Sequence, residues 1–208
     1  NSGPMTFDLL LPSNQSTTTT TTPTFSWNQS NDNDTPLDTI KYELKITSLY
    51  DGTVTTISDI LDTSHVVSVP LNENNHYSWR VTASDLYGET AESSEEQTFF
   101  VNATNDAPII TAIDSVTIDE DSFAEVNLVA SDVDEDSLEF AVSSDTSAIT
   151  ADVNGSTLTL TPETNWNGIA DITLFVTDGS LSDTTSFVLT VTLINDAPLA
   201  SETTISLD

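Results

Sequence analysis

The sequence predicts an all-β chain of two tandem Greek-key β-sandwiches. Three observations carry that expectation. Thr, Ser, Val and Ile dominate the patterned stretches, and such residues suit a pleated, half-buried surface. Short runs alternate apolar and polar residues with period two, the mark of a strand with one face on a core. The tetrapeptide Asn-Asp-Ala-Pro occurs at Asn105–Pro108 and again at Asn195–Pro198, 90 residues apart, which is about the length of one small sandwich.

The first module is expected over residues 1–104. Thr6–Leu11 reads as an opening strand, and Thr17–Thr22 before Pro23 as a low-complexity connection. Thr24–Asn28 is a short strand with Phe25 and Trp27 on one face. Asn31–Asp34 is a loop, because Asn and Asp side chains make turns with their own backbone. Ile40–Thr47 points Ile40, Tyr42, Leu44 and Ile46 inward and Lys41, Glu43 and Lys45 outward. Asp51-Gly52 closes a hairpin into Thr53–Ile57. His65–Val69, His76–Ala83 and Gln97–Asn102 complete the module.

The second module is expected over residues 105–197. Its strands are placed at Ile109–Ile113, Val116–Ile118, Phe123–Ser131, Ser137–Ser143, Ala148–Val153, Ser156–Thr161, Ile169–Thr177 and Thr184–Ile194. Asn154-Gly155 and Asp178-Gly179 are turn signals. Residues 198–208 read as the start of a following repeat or a tail, with a further strand at Thr203–Leu207, so the chain is expected to be an excerpt of a longer polypeptide.

Charge narrows the function. The chain has 34 acids and three bases, Lys41, Lys45 and Arg80. From Asn105 onward there are 20 acids and no Lys, Arg or His. Carboxylates there must stay hydrated, be protonated or find a cation from outside. Nucleic acid and anionic membrane surfaces are poor partners, since both would be repelled. No apolar run reaches transmembrane length, so no direct membrane insertion of this segment is expected. With no cysteine, disulfides and thiolate metal sites are excluded.

Catalysis is not expected. His65 and His76 sit in strand-like runs outside any nucleophile–base signature, and no phosphate loop or His-Glu-x-x-His occurs. Trp166, in Asn165-Trp166-Asn167-Gly168, is read as a plug at the sandwich end in preference to a sugar platform.

The acids instead gather in the loops of the second module: Asn105-Asp106, Asp119–Asp121, Asp132–Asp136 and Thr177-Asp178-Gly179, with Asn195-Asp196 at the exit. Sandwich loops cluster at two ends. One end is expected to collect Asn105, Asp106, Asp132, Asp134 and Asp178. Six to eight oxygen ligands, several of them carboxylates, is what Ca²⁺ requires, whereas Mg²⁺ keeps its water and demands stricter geometry. An EF-hand reading of Asp132–Asp136 fails, because Ser137 stands where Gly is needed and Ser143 where the bidentate acid is needed.

Two resemblances follow from these residues. Phe25-Ser26-Trp27, Tyr42, Leu71 and Tyr77–Ala83 fall in the order of a fibronectin type III domain, which implies a tyrosine corner at Tyr77. Asp132-Val133-Asp134, Val176–Gly179 and Leu193–Pro198 resemble the Asp-x-Asp, Ala-x-Asp-x-Gly and linker motifs of cadherins and of bacterial cadherin-like, Ig-like repeats. The linker is shorter than the cadherin pattern, and the family's Asp-Arg-Glu is absent. The resemblance implies an upper Ca²⁺ site joining the two modules through Asn105, Asp106, Asp132, Asp134 and Asp178. It also implies a lower site of Glu120, Glu163, Asn195 and Asp196, completed by a following repeat. Turn-forming and solubilising roles for these acids remain the competing explanation, more so for the lower group.

The expected function is a calcium-binding, calcium-rigidified structural or adhesion module of a large exported cell-surface protein. Its partners would be Ca²⁺, neighbouring repeats, and other copies or a cell-surface glycan or protein. The alternatives are an accessory spacer or carbohydrate-binding region of a secreted polysaccharide-degrading enzyme, and an acidic domain adapted to high salt with no specific ion.

Overall fold

The computed structural model describes residues 2–33 and 40–197. The segment from Pro198 onward, with the expected strand Thr203–Leu207, lies outside the described residues, as does Asp34. The chain divides into two compact units, Asn1–Asn105 and the stretch beginning at Asp106. Among the described residues every regular element is a strand.

The first unit contains β1 (Leu9–Leu11), β2 (Ser16–Thr18), β3 (Thr24–Trp27), β4 (Lys41–Ser48), β5 (Val54–Ile60), β6 (Ser64–Val66), β7 (Asn75–Ser84), β8 (Thr90–Glu92) and β9 (Gln97–Val101). One sheet has the order β1-β3-β6. The other, six-stranded, runs β2-β9-β7-β4-β5, with β8 paired to β7. The alternation read in β4 and β7 sets their register: Tyr42, Leu44 and Ile46 lie opposite Ala83, Val81 and Trp79, and all six are buried. A slip of one residue would turn that apolar row to water. Phe25 meets the Trp79 ring edge-on, centroids 5.0 Å apart, and the Trp79 indole donates to the Pro12 carbonyl at 3.2 Å. The Ser30 amide donates to the Tyr42 hydroxyl at 2.9 Å. Burial pushes the Tyr42 phenol up, with the Ser30 bond opposing it. The Asn72 amide donates to the Tyr77 hydroxyl at 2.8 Å.

Three features of this unit depart from the sequence reading. The threonine run is not wholly a connection, since Thr17 and Thr18 pair in parallel with Phe100 and Val101. Strand β8 has no counterpart among the expected strands. The β4–β5 ladder shifts register between Tyr42 and Leu44, where Asp59 on β5 takes a left-handed backbone, φ 61°. A bulge of this kind adds a residue to one strand and bends it.

The second unit contains β10 (Ile109–Ile110), β11 (Val116–Asp119), β12 (Ala124–Asn127), β13 (Ala130–Ser131), β14 (Glu139–Ser144), β15 (Ile149–Asn154), β16 (Thr157–Pro162), β17 (Gly168–Thr177) and β18 (Ser182–Thr192). The sheet β11-β18-β17-β14 faces the sheet β12-β16-β15, and β10 pairs with β13. Between the sheets lie Leu158, Leu160, Ala170, Ile172, Leu174, Val176 and Leu189, all fully buried. The expected single strand Phe123–Ser131 is two. Leu128, buried at the break, donates its amide to Ser156, while Val129 accepts from Thr111. The chain thus changes partners without losing backbone hydrogen bonds. Trp166 packs against this core and lies over Gly168, where an added Cβ would come within 3.0 Å of the indole.

The registers sort the loops of the second unit. Ile109 opposite Ser131, and Thr177 opposite both Glu139 and Ser182, place residues 106–108, 132–138 and 178–181 at one end. Asp119 opposite Thr192, and Gly168 opposite Val191, place residues 119–121, 163–167 and 193–196 at the other.

Candidate metal centre

The centre of interest is the loop between β13 and β14. Asp132 folds back on its own backbone, its Oδ1 accepting the Asp134 amide at 2.7 Å, an Asx turn. The Glu135 amide reaches the Asp132 carbonyl at 3.4 Å, and Glu135 adopts φ 60°. This winding turns alternate side chains the same way. Carboxylate oxygens of Asp132, Asp134 and Asp136 lie within 4.8 Å of one another, with Asp132 and Asp134 half-buried and Asp136 exposed. Like charges at that separation repel by between about 1 and 4 kcal/mol per pair, depending on solvent access. Asp132 Oδ2 is shut off from solvent and accepts no hydrogen bond among the described residues. A buried anionic oxygen without a donor is costly, and a divalent cation supplies the missing charge. The donor set is all oxygen, as Ca²⁺ requires.

The other expected residues of this end have definite places. Asp106 is attached through its backbone, the amide donating to Asp134 Oδ2 at 2.6 Å. Asp178 shapes the β17–β18 turn, its Oδ1 accepting the amides of Ser180 and Leu181, both at 2.6 Å. Asn105 belongs to the first unit. Asp136 counts in the sequence reading as part of the acidic loop but not as a ligand. The signal for it is present in the alternate acids Asp132, Asp134 and Asp136. Asp183 is absent from that reading altogether. Its Oδ2 accepts the Ile110 amide at 3.0 Å and its Oδ1 the Thr184 amide at 2.8 Å. Those bonds, Ile110 first, hold its carboxyl below the usual carboxylate range.

At the opposite end Glu120 closes β11, is 5% exposed and accepts the Ile194 amide at 2.7 Å. Its own amide donates to the Thr192 carbonyl at 2.9 Å. Asp121 Oδ1 takes the Asn165 amide at 2.9 Å, and Asp119 Oδ1 takes the Thr192 hydroxyl at 2.6 Å. Glu163 is exposed. Its backbone ties Ala148 to Trp166, donating to the first and accepting from the second. Asn195 and Asp196 are exposed and joined by a 3.2 Å bond from the Asn195 amide group to the Asp196 carbonyl. Glu120 therefore meets the exit segment through a backbone amide. Among the described residues, the carboxylate group close enough to share an ion is the Asp132–Asp134–Asp136 one.

Residues 105–192 match the family of bacterial Ig domains. No curated protein matches the chain. Among solved structures, Drosophila N-cadherin EC1–3 is 13% identical over 90% of this chain and 67% of that one, with a TM-score of 0.42. The titin domains Z1Z2 in complex with telethonin are 13% identical, covering 94% of this chain and 99% of that one, at 0.36. An endo-fucoidan hydrolase of glycoside hydrolase family 107, MfFcnA4, is 21% identical over 72% of this chain at 0.34. This chain spans only 22% of the hydrolase. No helix among the described residues is long and apolar enough to cross a membrane. The two-sheet fold and the family match together make the second unit an Ig-like repeat.

Proposed function

We propose that this chain is a calcium-binding structural module, of cadherin-like type, from an exported or cell-surface protein, and that it does no catalysis. The observation that carries the reading is the buried, donorless Asp132 Oδ2 inside a three-carboxylate loop. Asp132, Asp134 and Asp136 would provide the anionic core of the ion's shell, with Asn105, Asp106 and Asp178 as further oxygen donors around it. Glu120, Glu163, Asn195 and Asp196 would form the second, weaker site, dependent on the repeat that follows. The fibronectin type III-like reading of the first unit is supported by its three- and six-stranded sheets and by the Asn72–Tyr77 bond.

The ion's mechanical role follows from the Asp134–Asp106 bond. A cation keeps Asp134 ionised and oriented, and Asp134 then keeps the chain fixed where it comes into the second unit. Removal of the ion leaves mutual repulsion among the acids, so that segment loosens. Ambient calcium would then set stiffness, with Kd of about 10⁻⁴–10⁻³ M as in other extracellular modules.

The test is a melting curve with Ca²⁺ and then with chelator, on wild type, Asp132→Asn and Asp134→Ala. Ligand at about a hundredfold above Kd adds about 2.7 kcal/mol, or about 10–20 °C for a unit of this size. Both variants should lose most of that rise, and Mg²⁺ should give little of it. A calcium response identical in the variants, or none in wild type, sinks the reading. Full substitution by NaCl at matched ionic strength would favour the high-salt adaptation instead.

A further inference from the structure

In the second unit, β14 ends the sheet β11-β18-β17-β14 and β15 ends the opposing sheet β12-β16-β15, among the described residues. The two strands lie against each other across the sandwich, and on that side the core is not closed. Leu138, Phe140 and Val142 from the β14 segment, with Ala151 and Val153 from β15, pack on the core yet are only half-buried. The central strands β16 and β17 bury Leu158, Leu160, Ile172 and Leu174 completely. The gap between the two end strands is a crevice of about 440 Å³, lined by Leu138, Phe140 and Val153 with Glu139 and the Gly155-Ser156 turn.

The backbone beside this crevice is regular. Strand β14 pairs with β17 in unbroken register from Glu139–Thr177 to Ser144–Ile172, and none of its residues is left-handed. Proteins ordinarily close such a strand with Pro, Lys, a bulge or a covering segment. Strand β14 has no Pro, no Lys and no bulge, and no described strand pairs with its far side. Its outward positions are Glu139, Ala141 and Ser143, so Glu139 is the one charge along it. Backbone donors and acceptors along six residues, above an apolar trough, make the geometry of strand addition. In that mode main-chain hydrogen bonds give affinity, and alternate side chains give specificity.

Charge selects the occupant. Around the crevice stand Glu139, Asp152 on β15, and Asp136 and Asp145 at the two ends of β14, all exposed. The unit holds no base to answer them. A second copy of this chain would bring a formal net charge of −31 and be repelled. A cation directly across from Glu139 on an added strand is a favourable cross-strand pair. We propose that the free side of β14 receives an extended segment of another protein, in which alternate residues are apolar and fill the crevice while the residues between them are Lys or Arg and pair with Glu139 and its acidic neighbours. The surface is independent of the calcium reading of the Asp132–Asp136 loop.

The experiment is NMR titration of the full chain with a capped octapeptide alternating Val and Lys. Two counterparts are used: the same peptide with Glu for Lys, and a block peptide of the same composition with all Val before all Lys. The alternating Val-Lys peptide should bind saturably, shift the amides of residues 138–144, and slow their exchange with solvent. It should bind about tenfold more tightly than either counterpart, the scale on which a favourable cross-strand charge pair becomes a repulsive one. Glu139→Lys should weaken the Val-Lys peptide severalfold while melting with the wild type. Absence of binding, shifts centred on residues 132–136 or on the first unit, or unchanged binding in Glu139→Lys overturns the proposal. Equal binding of the block peptide also overturns it, and reduces the effect to unspecific charge attraction. Concentration-dependent self-association that protects the same amides would replace the partner with a second copy.

Discussion

Single carboxylates in this chain do three kinds of work, told apart by what their oxygens meet. Asp183 takes two backbone amides, one from β10 and one from its own strand, and so pins the short β10 to the side of the sandwich. Because those bonds depress its folded value, its contribution is present above the unfolded value of about 3.9 and is lost as pH falls through the lowered folded one. Asp183→Ala should speed hydrogen exchange of the Ile110 amide at neutral pH, and acid should do the same to wild type; an unchanged amide in the variant would remove the clamp from the account. Asp132 differs in having one oxygen satisfied and one left without a donor, which is why it and not Asp183 is read as a ligand. Glu120 is buried yet bonded to Ile194. Sequence alone separates these roles poorly. Asp132 and Asp134 are legible from their spacing, whereas Asp183 stands in a polar stretch of β18 with nothing to distinguish it, since its partner Ile110 lies 73 residues away.

Elements are legible where burial is one-sided and the run is long. Strands β4 and β17 alternate for 8 and 10 residues and β7 for 10 save at the buried Ser78, and the alternation locates each within a residue or two of its limits. Strand β8 has three residues and half-buries one of them, so it leaves no period to read. Strand β2 hides in the threonines because its pairing with β9 is a backbone matter. The division of Phe123–Ser131 is invisible in the sequence because apolar positions at Val126, Leu128 and Ala130 continue the alternation through the break. Packing makes the corresponding predictions. Leu174→Ala, at the fully buried centre of β17, should cost about 2–5 kcal/mol in chemical denaturation. Gly168→Ala forces a methyl into the Trp166 indole and should cost about 1–3 kcal/mol as overpacking. A near-neutral result there would mean that Trp166 moves aside freely and is no plug.

At the scale of the whole molecule, charge is distributed so that the two units differ in kind. The first owns every base, and carboxylates stand beside them on the same sheet, Asp59 at Lys41 and Glu92 at Arg80. The second has none, so its acids find no counter-charge within their own unit. Calcium binding should therefore depend on Asp132 and Asp134 and be untouched by Arg80→Gln; calorimetric titration with Ca²⁺ checks this, and a loss of binding in Arg80→Gln would argue against the acidic loop as the site.

The bulge opposite Tyr42 has a consequence for crowded surroundings. Strand β5 is the outermost member of its sheet among the described residues, and a straight outermost strand is a template on which another chain can zip. Asp59, turned left-handed and tethered to Lys41, puts a jog and a charge into that rim. Such a jog disfavours the pairing of a neighbouring copy along this rim.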